Sequence, residues 1–202
     1  RGSRRIAVHR VWVRLRSIGG AVSVDADTRG AIPPSRGERV DSALTIRSGV
    51  VIMALKRIAT ARWEGDIQTG KGGMSTPQSG LFADQNYSFK TRFGDGNTPE
   101  TRGTNPEELL AAAHAGCFSM ALSAVLGRAG FTPTTIETRA EATMEPGMEP
   151  GPTVTGVHLT VSASVPGISA EQFAEIANAA KAGCVISRAL AVPVTMDATL
   201  IQ

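Results

Sequence analysis

Hydrophobic and polar positions follow two regimes along this chain, and they meet near Met53. Before it the apolar residues are scattered, and Pro33, Pro34 and several glycines interrupt any helix. After it the pattern is regular. Residues 56–63 alternate in the manner of a strand, and residues 70–76 and 85–92 are predicted as two more between glycine-rich turns. Residues 94–104 form a polar loop without a core-forming side chain.

A helix start then follows. Asn105-Pro106-Glu107-Glu108 combines an N-cap residue, Pro at the first helical position and acids in the first turn. Residues 109–128 continue with only Gly116 and Gly127 as weak points, and Gly130 suits the C-terminal cap. A helix of this length spans roughly 36 Å. It is apolar on nearly all faces, so it is expected at the centre of the protein, covered on every side. Strands are predicted over residues 134–144 and 153–165, joined by a Pro/Gly turn. Ser169 caps a second helix whose Phe173, Ile176, Ala177 and Ala180 share one face, and Gly183 ends it. A short helical piece over 184–190 leads to a last strand over 193–201. This order predicts an α+β fold rather than a βαβ series.

Composition refines the division. The 202 residues are 42% hydrophobic and 19% charged, enough to build a core. No run of about 18 uncharged apolar residues is expected, and so no membrane span. The net charge of +3 is uneven: residues 1–52 carry ten Arg against four acids, a net of +6, and residues 53–202 carry −3. Most of the chain is thus mildly acidic, and with aromatics at 4% it is not expected to bind nucleic acid. The Arg-rich opening fits an organelle transit segment or, as the favoured reading, an extension from expression or an upstream frame. Residues 1–52 are therefore expected to lie outside the fold, which is assigned to residues 53–202.

The chemistry available is narrow. Two cysteines, Cys117 and Cys184, make neither a disulfide scaffold nor a four-cysteine zinc site. Cys117 falls within the long helix, where a thiol is commonly an inert hydrophobe and gets no help from helix-end dipoles. Cys184 sits where one helix ends and another starts, a place where amides lower a thiol pKa. Arg92, Arg102 and Arg128 are the cations nearest in sequence to the long helix; Arg102 is expected to be solvated, and Arg128 to be a partner of the helix C-terminal dipole or a solvated charge. His114 and Cys117 share a helix face, as a nucleophile and base, as metal ligands with Cys184, or as plain packing. Metal is the weakest of these, because only His158 remains as a further ligand in the patterned region. Dinucleotide, P-loop and nucleophile-elbow motifs are missing. Two thiols and one or two arginines point to thiol redox chemistry.

At this point the chain resembles a known family. Trp63-Glu64-Gly65-Asp66, Thr91-Arg92-Phe93, Gly103-Thr104-Asn105-Pro106-Glu107-Glu108-Leu109, Ala113-His114-Ala115-Gly116-Cys117-Phe118-Ser119-Met120, Gly130-Phe131-Thr132-Pro133 and Ala182-Gly183-Cys184 occur in the order seen in the OsmC branch of the OsmC/Ohr proteins. The likeness runs from about Met53 to Gln202, and residues 1–52 lie outside it. Val185 departs from it, standing where the family commonly has Pro.

The resemblance implies an intertwined homodimer, with antiparallel sheets wrapped around long central helices. It also implies a cytoplasmic peroxidase acting on organic hydroperoxides, and less well on hydrogen peroxide, without metal or other cofactor. Cys117 would be the peroxidatic thiolate, Cys184 the resolving thiol, Arg92 the activating cation and Glu107 the carboxylate holding it. The Cys117–Cys184 disulfide would be reopened by an external dithiol, for which dihydrolipoyl groups are the expected donor. Phe118 and Met120 would line the organic tail of the substrate or pack in the core. Glu107 and Cys117 lie ten residues apart, about 15 Å on a straight helix. Glu107, with Arg92, is therefore expected to reach the partner's Cys117. The alternatives are a redox sensor using the same disulfide, or a stress-induced dimer that binds a lipid-like ligand.

Overall fold

The computed structural model describes residues 54–94, 98 and 102–201, and the backbone of five strands before them. The chain divides into two units, Arg1–Ile58 and Ala59–Gln202. In the first, β1 (Arg5–Val8), β2 (Val11–Ile18) and β3 (Ala21–Ala26) form an antiparallel meander. There β4 (Thr45–Arg47) and β5 (Val50–Ile52) pair as a hairpin.

The second unit opens with an antiparallel sheet of β6 (Thr60–Glu64), β7 (Lys71–Ser75) and β8 (Gln85–Ser88). The first of these begins four residues later than its sequence pattern predicts. Close pairing is allowed by Gly72, where a Cβ would stand 2.3 Å from the Tyr87 ring. The predicted third strand stops at Ser88, which caps a single helical turn, α1 (Phe89–Phe93). Its hydroxyl accepts from the Thr91 N–H, and the Thr91 hydroxyl accepts from the Ser88 N–H. This reciprocal cap satisfies two amides that a strand would have left without partners at the sheet end, and it turns Arg92 out of the sheet.

The long helix, α2 (Pro106–Arg128), begins as expected, with the Asn105 side chain accepting from the Glu108 N–H. It ends in a Schellman motif. Gly130 is left-handed at φ 87°, and the Phe131 N–H reaches back to the Leu126 carbonyl. Then β9 (Thr135–Glu145) and β10 (Thr153–Ser164) pair antiparallel. Helices α3 (Ala170–Gly183) and α4 (Val185–Ala189) carry the chain to β11 (Val194–Ile201), which lies parallel to β10. One parallel pair thus enters a fold that is otherwise antiparallel, because two helices separate its strands.

Period-two alternation sets the faces of this second sheet. Val157, Leu159, Val161 and Ala163 point inward, and the intervening residues face out, where His158 bonds Thr195. Against the inner face lies the stripe His114, Phe118, Leu122 and Leu126 of α2, one residue every four and all fully buried. Phe173, Ala177 and Ala180 of α3 close the core. Each large apolar side chain in it contributes about 1.5–3 kcal/mol by leaving water.

Two expectations change here. The long helix is not covered on every side within this chain: Ala112, Ala113, Gly116, Ser123, Ala124 and Gly127 are exposed, and Met120 is 76% exposed. It is also long and apolar enough to cross a membrane by length and composition, since no charge falls between Glu108 and Arg128. Four of its residues, His114, Phe118, Leu122 and Leu126, are fully buried.

Replacing the fully buried Leu122 by Ala is expected to cost about 2–5 kcal/mol, read by denaturant unfolding. Val185 is exposed at the first position of α4, whose amide has no partner within the helix, and Cys184 before it already has φ −63° and ψ 129°. Val185→Pro is therefore expected to raise stability by about 0.4–1 kcal/mol, seen as a higher melting temperature.

Candidate active site

Rotation of α2 decides what Cys117 can meet. Successive residues turn by about 100°, so Cys117 stands on the flank between the buried stripe and the open face. It is half-buried, while Cys184 at the N-cap of α4 is fully buried. The two reduced sulfurs share a hydrogen bond at 3.2 Å. Burial pushes the Cys184 thiol up. The Ser187 and Ile186 amides, the Ser187 hydroxyl and the Cys117 thiol favour its thiolate and outweigh burial, leaving it below an ordinary thiol.

The other predicted pair is also assembled. Arg92 donates from Nε to Glu107 Oε2 at 3.1 Å and from Nη2 to Oε1 at 2.6 Å, a two-pronged grip. The guanidinium also lies 5.1 Å from the centre of the Phe93 ring. Three hydrogen bonds tie the segment before α2 to this turn. Asn105 Nδ2 donates to the Thr91 carbonyl, Asn86 Nδ2 to the Arg102 carbonyl and the Thr104 N–H to the Asn86 carbonyl. Gly103 makes the approach possible, because a Cβ there would stand 2.5 Å from the Asn86 carbonyl oxygen.

The two pairs are not brought together within one chain. Glu107 occupies the first turn and Cys117 the middle of the same unbroken helix, and ten residues separate them by about 15 Å along its axis. Phe118 is buried in the core and closed to a substrate, whereas Met120 lies on the open face. His158 is on the outer face of the second sheet, 3.4 Å from Asp197. Arg128 is exposed in the last turn of α2. No group of three His, Cys, Asp or Glu converges as a metal site among the described residues.

His114 does not bond Cys117. Its Nε2 lies 2.8 Å from the Ser187 hydroxyl, its Nδ1 is buried without a partner, and burial holds its pKa below the usual imidazole value. Ser187 is thus a site residue that sequence reading missed. The only local signal for it is its spacing of three from Cys184.

Known proteins share this arrangement of chain. A family model described as OsmC-like protein matches residues 94–198. Peroxiredoxin OsmC of Escherichia coli K12 is 48% identical over 145 residues, covering 72% of this chain and 96% of that protein, and the Shigella flexneri protein of the same name matches equally. Among solved structures, an OsmC-like protein of unknown function from Vibrio cholerae aligns with a TM-score of 0.57 at 14% identity, covering 72% of this chain and all of the other. An organic hydroperoxide resistance protein OsmC from Legionella pneumophila aligns at 0.53 with 22% identity, covering 74% and 99%. These structures share the fold, the 48% identity extends over nearly the whole of the Escherichia coli protein, and the chain belongs to the OsmC-like protein family.

Proposed function

We propose that this chain is a cysteine-based peroxidase that reduces organic hydroperoxides, and hydrogen peroxide less well, to alcohols or water. The observation that carries the reading is the thiol pair: two reduced sulfurs 3.2 Å apart, one half-buried and one fully buried. A nucleophile has to be reached by substrate, and a resolving thiol does not. The name peroxiredoxin on relatives 48% identical supports the same class.

In this reading the Cys117 thiolate attacks the terminal oxygen of ROOH. The O–O bond breaks, ROH leaves with a proton, and Cys117 becomes a sulfenic acid. Cys184 attacks that sulfur and expels water, forming the Cys117–Cys184 disulfide. A dithiol, for which we favour a dihydrolipoyl group, then reopens it by exchange and is itself oxidised to a disulfide. Arg92 favours the thiolate and the charge on the leaving oxygen, and Glu107 holds Arg92. This chemistry uses no haem, flavin or metal, is assigned to residues 53–202, and suits the reducing cytoplasm.

The placement of Arg92 and Glu107 leads us to a homodimer in which they serve the partner's Cys117. What supports this is the open apolar face of α2, together with a β6–β8 sheet that contributes no residue to the hydrophobic core. A second α2 on the open face would cover Met120 and bring each chain's first turn toward the other's flank.

Two experiments test these readings. Consumption of cumene hydroperoxide with dihydrolipoamide is expected to run for many turnovers, falling by more than about a hundredfold in Cys117→Ser. In Cys184→Ser the sulfenic acid is expected to form without dithiol-driven cycling. Disulfide formation without turnover would instead identify a sensor. For the dimer, Cys117→Ser and Glu107→Ala proteins are each expected to be inactive and to regain activity when mixed and allowed to exchange subunits. Mixed dimers without activity would rule out service in trans.

A further inference from the structure

The core histidine has no part in the reaction as described, yet it stands in an apolar stripe at a cost. His114 is fully buried, and its Nδ1 has no hydrogen-bond partner. Burying a polar atom without a partner lowers stability, and an apolar residue of similar size would avoid the loss. What the ring gains is a contact between helices: Nε2 lies 2.8 Å from the Ser187 hydroxyl, joining α2 to α4. Burial lowers the imidazole pKa, so near neutral pH this is a hydrogen bond of an uncharged ring. The thiols make a second link beside it, Cys184 to Cys117 at 3.2 Å. His114 stands three residues before Cys117 on α2, and Ser187 three residues after Cys184. The two links are therefore rungs of one antiparallel ladder, about one helical turn apart.

The histidine rung matters because little else fixes α4. That helix is five residues long, buries none of them fully and has no side-chain cap. So short a helix is not stable by itself. Ile186 and Leu190 pack partly buried against the core, but apolar contact is non-directional and does not fix a register. A hydrogen bond fixes separation and direction together. Closing a disulfide of about 2.05 Å brings the sulfurs about 1 Å nearer than they stand. We propose that His114 and Ser187 are a positioning pair that holds α4 in register on α2 and so keeps Cys184 within bonding reach of Cys117. The pair raises the effective concentration of one thiol at the other. Closure is thereby fast, and the disulfide is favoured over the open dithiol. Neither residue gives or takes a proton in this role.

This inference rests on the peroxidase reading for its purpose, but its test needs no peroxide. Oxidised glutathione closes the same disulfide, taking up the two electrons and two protons that the dithiol gives up. Full-length protein is equilibrated in graded glutathione buffers, quenched with acid and resolved into dithiol and disulfide by mass spectrometry. In His114→Leu the balance is expected to move about tenfold or more toward the dithiol. Its melting temperature is expected to stay at or above that of wild type, because the orphaned nitrogen is gone and the half-buried Ser187 reaches water. A histidine that only packed would show the reverse, an unmoved balance and a lower melting temperature. His114→Gln keeps a donor near Nε2 and does not titrate, and it is expected to hold the wild-type balance. Ser187→Ala is expected to shift the balance at least as far as His114→Leu, and the double variant no further than Ser187→Ala, since the two residues make one contact. Ser187→Ala leaves the core intact and tests the pair even if His114→Leu does not fold. A wild-type balance in Ser187→Ala, or in folded His114→Leu, would overturn the positioning pair. One equivalent of cumene hydroperoxide then tests the reading beneath it. Dimedone is expected to trap Cys117 sulfenic acid, in His114→Leu for longer than in wild type as closure slows. Neither adduct nor disulfide in wild type would overturn the peroxidase assignment and leave the glutathione result standing.

Discussion

Burial of a single stripe of α2 governs the rest of this molecule. His114, Phe118, Leu122 and Leu126 are fully buried in the core with the inner face of the second sheet and with α3. Because a helix is rigid, burying that stripe sets the rotation of every other residue on it. Cys117 is thereby held on the flank, against the thiol that α4 presents. The opposite face, with Gly116, Met120 and Ala124, is left open. An apolar helix in water minimises exposed surface, and one chain covers only part of it.

The second constraint is the approach of the segment before α2 to the turn that carries Arg92. Gly103 lets the backbone come within hydrogen-bonding reach of Asn86, and Asn105 both caps α2 and binds the Thr91 carbonyl. These contacts are short-range and directional, so they locate the guanidinium against Glu107 to within a hydrogen bond. They hold it at the start of the helix, away from the thiols of the same chain. The rigidity that holds each half of the site thus also separates the halves, and the proposed contribution of a partner subunit rests on this.

Much of this was legible in the residues. The Asn105–Glu108 cap, the Gly130 stop, the Ser169 cap and the alternation in β10 are local signals. They depend on side chains within a few positions of one another, and the structure agrees with them. The end of β8 was misplaced because residues 85–92 alternate well enough for a strand, and the reciprocal Ser88–Thr91 cap outweighs that alternation. Residues 109–127 carry no charged side chain, so α2 is long and apolar enough to cross a membrane by length and composition, against the expectation from its sequence.

By itself the sequence determined most of the elements and the two thiols, because caps, periodicity and residue chemistry act over a few neighbours, while Arg92 and Glu107 were named as a pair only through the family resemblance. It also carried the family likeness, since ordered motifs survive without coordinates. Only the tertiary structure decided which groups meet. The 3.2 Å between Cys117 and Cys184, the grip of Glu107 on Arg92 and the bond from His114 to Ser187 span 67, 15 and 73 positions. Such distances are set by how the helices pack on the sheet, which local pattern does not encode. The same packing turned Phe118 inward and Met120 outward, two neighbours that composition alone treats alike.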